Sequence, residues 1–193
     1  MFMTFLGLDV VEPAFEVLRV RLMRLSSSSV LANTVTGFVS YYMSHWQCFP
    51  TLLPACLDFI RARGAKALQE SDSSLRWFID FFLDKCIDSR ELGSSVALAA
   101  MPAVSIVIKE CVEKKLYVDG LDEVIARFSR ILLDASQPEE SLAFRYAAAL
   151  CLSIVGNTLL NYKAKNAEAS RNLFLLVVNV VEDEEEDVRA STA

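Results

Sequence analysis

This sequence has few of the residues on which most enzyme active sites depend. It contains one histidine, His45, and six glycines that are at least 27 residues apart. Glycines so widely spaced cannot form a phosphate-binding loop or a dinucleotide-binding fingerprint. A single histidine cannot supply the paired ligands typical of a zinc site. We therefore predict no catalytic residue, no cofactor, no bound metal and no small-molecule substrate.

One alternative uses the single histidine. His45 and Cys48 are three residues apart near the end of a helix rich in tyrosine and tryptophan. This spacing would place both on one helical face, as a cysteine nucleophile with a histidine base requires. The ordinary interpretation is a boundary histidine beside a core cysteine. We favour that interpretation and rank an enzyme last among the functional hypotheses.

The cysteines show none of the patterns of an extracellular or metal-binding protein. There are five of them, an odd number, with no Cys-x-x-Cys pair, and no Asn-x-Ser/Thr glycosylation site occurs. The residues flanking them are mostly apolar, where a reduced cysteine behaves as a small hydrophobic residue. This usage indicates a reducing compartment, and we predict a cytoplasmic protein.

Long apolar runs are also missing. Leu173–Val181 spans nine residues and contains Asn179, whereas Val96–Ile108 spans thirteen and contains Pro102. Since a membrane-spanning helix needs roughly 20 apolar residues, we predict no membrane partner.

The charge of the chain is concentrated in one segment. The net charge is −6, from 25 acidic and 19 basic residues. Residues 182–187 hold six of the acids, and Arg189 is the only base after them. Residues 1–181 thus hold 19 acids and 18 bases, a net charge of −1. Such a body gives no general attraction for nucleic acid or membranes.

Apolar residues recur at helical spacing, and strand patterns are nearly absent. Leu75, Phe78, Ile79, Phe82, Leu83 and Cys86 form one such stripe, and Leu121, Val124, Ile125, Phe128 and Leu132 form another. Both stripes predict amphipathic helices with one buried face. We predict an all-α protein with helices at about 10–25, 29–46, 50–62, 71–88, 94–116, 120–135, 138–155 and 167–181, and a ninth from about 187.

Proline and glycine mark the predicted boundaries. Pro138 fits the first turn of a helix, where its missing N–H costs nothing. Gly93, Gly120 and Gly156 predict breaks or C-caps, and the last of these suggests a loop at 156–166. Pro102 predicts a kink in the long helix 94–116.

An imperfect repeat links two segments near the end of the chain. Residues 140–149 and 184–193 both have an acidic lead, an apolar residue, an arginine and then small residues. The arginines, Arg145 and Arg189, are 44 residues apart (189 − 145). A period of about 40–47 residues is typical of HEAT and armadillo repeats. We predict a single α-solenoid segment over residues 1–193 that belongs to a longer repeat protein.

The second copy of the repeat breaks off within its first helix. Residues 188–193 supply less than two turns against the predicted helix 167–181, so part of the Leu173–Val181 stripe should be uncovered. We therefore expect the isolated chain to aggregate or self-associate, and one further native repeat to improve its solubility.

The charged residues give the candidate contact sites. Three basic clusters lie near predicted helix ends, where cations are favoured by the helix dipole whatever their function. The alternative interpretation is that these basic residues contact RNA phosphates. The residues are Arg61, Arg63, Lys66, Lys109, Lys114, Lys115, Lys163 and Lys165.

Arg145, Arg189 and the acidic run have structural and functional interpretations too. The two arginines predict stacking contacts with acids or carbonyls of the neighbouring repeat, with ligand contact as the alternative. The acidic run 182–187 predicts a solvated turn before a helix N-terminus, with a docking site for a basic partner as the alternative.

The segment Asn172–Ala193, an apolar helix followed by an acidic turn and Val-Arg, has the form of a HEAT unit. It resembles the late repeats of the thyroid adenoma-associated protein family. The helix containing Phe-Arg-Tyr-Ala-Ala-Ala-Leu at 144–150, about one repeat earlier, is similar as well. The resemblance covers about 50 residues, from Pro138 to the end, and its motif is shared with other HEAT proteins.

This resemblance implies an all-α HEAT/armadillo solenoid. It also implies the non-catalytic subunit of a tRNA 2′-O-ribose methyltransferase, with a separate catalytic chain as a partner and tRNA as a second candidate partner. The alternative that the residues leave open is a generic protein-binding HEAT adaptor with no RNA role.

Overall fold

The computed structural model describes residues 57, 61, 76, 79–88, 90, 93–162 and 167–191. In this part of the chain 80% of residues are helical and none is in a strand, which confirms the predicted all-α class. The helix that includes 79–81 continues as a π-helical segment, Phe82–Asp88. The α-helices that follow are α1 (Ser94–Glu113), α2 (Leu121–Ala135), α3 (Leu142–Asn161), α4 (Ala167–Val181) and α5 (Glu186–Ala190).

The described members of the predicted stripes lie mostly on the buried faces of their helices. Ile79, Phe82 and Leu83 are buried on the first helix, as are Val124, Ile125, Phe128 and Leu132 on α2. In α1 and α3 the interior also holds many alanines, including Ala97, Ala100, Ala147, Ala148 and Ala149, all buried. Small side chains of this kind allow helix axes to approach closely.

The predicted boundaries of α3 were wrong at both ends. Pro138 lies in a turn rather than in the first turn of a helix, and Ser141 keeps an extended backbone (φ −62°, ψ 149°) before the helix begins at Leu142. Gly156 does not end the helix, which continues to Asn161. A Cβ atom at position 156 would lie 2.8 Å from Leu152 Cδ1, so the glycine makes room for a packed leucine.

Gly93 and Gly120 do separate helices, as predicted. Gly120 has a left-handed backbone (φ 63°) directly before α2. A Cβ atom there would lie 2.5 Å from Arg76 Nη1, which donates a hydrogen bond to the carbonyl of Asp119 at 2.5 Å. The glycine thus allows both the turn and the arginine that holds it. α1 ends at Glu113, three residues before the predicted limit.

Helices two apart in the chain pack side by side. α1 packs on α3, α2 packs on α4, and α3 packs on the short α5. The starting residues of these pairs are 48 (142 − 94), 46 (167 − 121) and 44 (186 − 142) residues apart. α1 and α3 each have 20 residues, and α2 and α4 each have 15. The described helices therefore form two rows of matched helices.

Side-chain hydrogen bonds join neighbouring helices within each row at nearly constant sequence separation. Asn172 Nδ2 donates to Ser129 Oγ at 3.4 Å, and Asn179 Nδ2 donates to Ser136 Oγ at 3.0 Å, both 43 residues apart. On the other row Thr158 donates to Glu113 at 2.9 Å. These bonds fix the register of α2 against α4 and of α1 against α3, because each satisfies polar groups within or beside a packed interface.

Ion pairs attach the π-helical segment to the helices that follow. Arg127 on α2 pairs with Asp84 and Asp88. Burial lowers the pKa of Arg127, but the hydrogen bonds and charges of the two aspartates outweigh it and raise the pKa above its usual value. Arg90 pairs with Glu140 at 2.5 Å, and its guanidinium lies 4.0 Å from the centre of the Phe144 ring.

Two helices are longer and more apolar than the uninterrupted runs of the sequence suggested. By a test of length and composition alone, Ser94–Glu113 and Leu142–Asn161 are long and apolar enough to cross a membrane. The expectation that no segment is long enough was wrong, because it counted unbroken runs rather than whole helices. These two helices are α1 and α3, which pack on each other, and 56% of each apolar window is buried. Core helices of this type pass the same test.

Candidate functional site

The N-terminal turn of α3 holds a buried arginine, Arg145, against the turn that follows α4. Its side chain and that of Asp183 are 8% and 6% exposed, and Arg145 Nε lies 2.9 Å from Asp183 Oδ2. The Nε–H group of Arg145 does not point at this oxygen well enough for a hydrogen bond, so the contact is an ion pair only. Nη2 makes two longer contacts, both at 3.5 Å, with Asp183 Oδ1 and Glu184 Oε1.

Arg145 also holds its own preceding loop. Its Nη1 donates to the carbonyl oxygens of Pro138 at 3.4 Å and Glu140 at 3.2 Å. One side chain therefore joins the loop before α3 to the loop before α5. Charge-assisted hydrogen bonds of this kind fix loop geometry more firmly than neutral ones.

Arg189 occupies the matching position of α5, the fourth residue in each helix. Its Nη1 donates to the carbonyls of Asp183 at 2.5 Å and Glu184 at 2.9 Å. Asp183 in turn accepts a hydrogen bond from the backbone N–H of Glu185 at 2.9 Å. Two arginines 44 residues apart thus hold the loops before their helices in the same way, although Arg145 is buried and Arg189 is exposed.

The rest of the acidic run faces solvent. Glu182, Glu184, Glu185, Glu186 and Asp187 are exposed, and Asp183 alone within the run is drawn inward. Glu186 and Asp187 lie in the first turn of α5, where negative charge is favoured by the helix dipole. The buried Asp183 is thereby distinguished from five neighbours of the same charge.

The described members of the basic clusters lie on different elements. Arg61 lies on an earlier helical segment, and its charge lowers the pKa of the Cys151 thiol on α3, whereas Lys109 and Lys114 lie at the end of α1. The remaining members of these clusters lie outside the described residues: Arg63, Lys66, Lys163 and Lys165.

The lysines at the end of α1 differ from one another. Lys109 is half-buried, and Lys114 pairs with Glu110 at 2.8 Å. Lys115 is exposed in the turn after α1, with a positive φ of 52°. Because five residues turn a helix by about 140°, Lys109 and Lys114 point in different directions. Of the three, Lys115 presents its charge most directly to solvent.

Lys115 also lines a cleft of about 610 Å³ that the sequence did not suggest. Tyr117, Asp122, Glu123 and Tyr162 lie around it, and Tyr117 is 67% exposed. Burial raises the pKa of Tyr162, and a hydrogen bond with Asp122 and the charge of that carboxylate raise it further. Only the break at Gly120 hinted at this place, since the cleft depends on how the turn after α1 meets the end of α3.

The described cysteines are packing residues. Burial raises the pKa of the Cys111 thiol to about 11, and Glu110 adds to this effect. Burial likewise raises the pKa of Cys151 to about 12. Both thiols are therefore protonated at neutral pH and are poor nucleophiles. His45 and Cys48 lie outside the described residues.

No group of three or more metal-ligating side chains occurs within the part of the chain that the structure describes. No family model, no curated protein and no solved structure matches this chain.

Proposed function

We propose that this chain is a HEAT/armadillo-type solenoid segment that acts as a non-catalytic scaffold. The observation that carries the proposal is the packing of α1 on α3, α2 on α4 and α3 on α5, at a spacing of 44–48 residues. In solenoids each helix pair contacts mainly its neighbours, and the rows of helices provide extended binding surfaces. The matching loop contacts of Arg145 and Arg189 support the same interpretation.

Within this class we propose a role in tRNA 2′-O-ribose methylation in the cytoplasm, beside a separate methyltransferase subunit. The resemblance of Pro138–Ala193 to the thyroid adenoma-associated protein family supports this choice. The two arginines that carry the resemblance have matching loop contacts. A scaffold of this kind would position tRNA, the catalytic subunit, or both, and the chemistry would belong to that subunit.

Deletion of the gene tests this proposal directly. We expect one 2′-O-methyl mark to disappear from the anticodon loop of particular tRNAs, because the catalytic subunit would lose its scaffold. Mapping of ribose methylation in tRNA from deletion and wild-type cells measures the effect. Restoring the chain with His45→Ala or Cys48→Ala should restore the mark, whereas unchanged methylation after deletion would refute the proposal.

Direct RNA contact is tested at the end of α1. Reversing the charge of Lys109, Lys114 and Lys115 together should weaken tRNA binding and flatten its dependence on salt, by about one unit of slope for each phosphate that is no longer neutralised. Lys115→Glu alone can be compared with Arg130→Glu, an equal charge change at an exposed position on α2. Equal effects of the two single variants would show that Lys115 makes no specific phosphate contact.

A protein-binding adaptor with no RNA role is the second candidate. The charge distribution favours it, because five exposed acids follow α4, in the turn and the first turn of α5, and Lys114 is already paired with Glu110. These acids would repel phosphate groups, and a phosphate would have to compete with Glu110 for Lys114. Absence of salt-dependent tRNA binding, together with unchanged tRNA methylation after deletion, would favour this candidate.

A further inference from the structure

The turn before α2 contains the single Asp-Gly pair of the sequence, Asp119 and Gly120. An aspartyl carboxyl group can be attacked by the backbone nitrogen of the next residue, which closes a five-membered succinimide ring. Glycine hinders this closure least, because it has no Cβ beside the attacking nitrogen. The Asp-Gly pair is therefore the place in this chain where isomerisation of the backbone meets the least steric resistance.

The structure leaves both reacting groups of this pair free. Asp119 is exposed, and neither its carboxylate nor the N–H of Gly120 makes a hydrogen bond within the part of the chain that the structure describes. The hydrogen bonds of α2 begin after this point, since the N–H groups of Glu123 and Val124 donate to the carbonyl of Gly120. The attacking nitrogen thus lies outside the hydrogen-bond network of the helix.

Asp134 has the opposite backbone setting. It is exposed like Asp119 and is followed by another small residue, Ala135, but both lie within α2. Past the first turn of a helix, each N–H is bonded to the carbonyl four residues earlier. Ala135 therefore cannot supply a free nitrogen unless the helix unwinds, which makes Asp134 a matched control within the same chain.

We propose that Asp119 in the folded protein is a site of spontaneous isomerisation to isoaspartate. In the first step the Gly120 nitrogen bonds to Asp119 Cγ, and a carboxyl oxygen leaves as water with the N–H proton and the carboxyl proton. In the second step water adds to the backbone carbonyl carbon of Asp119. The bond from that carbon to the Gly120 nitrogen then breaks, and the nitrogen is part of a new peptide bond to Cγ. One water is lost and one is gained, and the former backbone carbonyl becomes a free carboxylate.

The product does not fit the turn that the structure shows. Isoaspartate adds one carbon to the backbone directly before Gly120. Arg76 Nη1 lies 2.5 Å from the position of a Cβ on Gly120 and donates to the Asp119 carbonyl at 2.5 Å. Arg76 Nε in turn pairs with Asp80 at 2.6 Å. The added carbon therefore displaces the carbonyl from Arg76 and loosens the turn that leads into α2. This effect is independent of any role in tRNA methylation.

Ageing of the full 193-residue chain tests the proposal. The folded protein is incubated at physiological pH and temperature and digested with trypsin, and isoaspartate is located by mass spectrometry with fragmentation that distinguishes the two linkages. The tryptic peptides 116–127 and 131–145 carry Asp119 and Asp134. Isoaspartate should accumulate with time at position 119 and not at position 134. A sample taken at the start corrects for isomerisation during digestion.

Two variants connect the reaction to its structural effect. Asp119→Glu should block the reaction, because the longer side chain would have to close a less favourable six-membered ring. Isomerised wild-type protein should melt about 2–4 °C below the fresh protein, the shift expected from the loss of one charge-assisted hydrogen bond in a chain of this size. Aged Asp119→Glu should keep its Tm. Arg76→Ala should acquire isoaspartate without a further fall in Tm, because the contact is already absent.

Three results would overturn the proposal. The first is a folded chain without isoaspartate at position 119 while the isolated peptide 116–127, aged in parallel, acquires it, since the turn would then protect the pair. The second is equal accumulation at positions 119 and 134, since backbone setting would then not decide the site. The third is an isomerised chain with an unchanged Tm, since the turn would then accommodate the longer backbone.

Discussion

Replacing Arg145 with alanine is expected to lower the free energy of unfolding by about 3–5 kcal/mol. The change leaves Asp183, 6% exposed, without the cation that compensates its charge, and removes a donor from the carbonyls of Pro138 and Glu140. An unpaired buried charge is among the most destabilising consequences of a single substitution. Urea denaturation followed by circular dichroism measures the decrease in stability.

Arg189→Ala is the matched control, because Arg189 has the same position in α5 and similar carbonyl contacts but an exposed side chain. Its removal should cost no more than about 1 kcal/mol, since water can replace the arginine at the carbonyls. The double variant Arg145→Ala with Asp183→Ala should be less destabilised than the sum of the single variants. Equal costs for the two arginine variants would contradict a structural role for the buried pair.

The two arginines show how far the repeat pattern predicts structure. The 44-residue spacing indicated that Arg145 and Arg189 would occupy equivalent places, and the structure gives both the fourth position of a helix. The pattern could not identify Asp183 among six consecutive acids. That choice depends on the backbone of the turn, which directs one carboxylate inward and leaves the others in water.

The helical class was predictable because apolar residues repeat at helical spacing over long stretches. The errors at Pro138 and Gly156 have physical causes. Glycine costs only about 1 kcal/mol inside a helix, and tertiary packing readily overrides such a preference. At Gly156 the packed Leu152 side chain needs the space that a Cβ would fill. Pro138 instead forms part of the loop that Arg145 holds.

The candidate contacts were the least predictable part. Lys109, Lys114 and Lys115 are close in sequence. Helix rotation points Lys109 and Lys114 in different directions, and Lys114 is already paired with Glu110. The cleft beside Lys115 depends on Tyr162, 47 residues later (162 − 115), reaching the turn after α1. Contacts of this kind follow from tertiary packing and have no local sequence signal.

Replacing Phe128 with alanine is expected to cost about 3–5 kcal/mol of stability. The side chain is 0% exposed and is among the largest fully buried ones in the described part of the chain. Alanine would leave a cavity in the hydrophobic core beneath α2, and close-packed surroundings relax only partly. Thermal and urea denaturation should both show the decrease.

Phe174→Ala provides the comparison, since Phe174 has the same position in α4 and is 66% exposed. Measured at concentrations too low for association, it should change stability by no more than about 0.5 kcal/mol. The same substitution at matched positions thus separates the cost of a core cavity from the cost of truncating an exposed side chain. A large cost at position 174 in the monomer would mean that this phenylalanine is buried within its own chain.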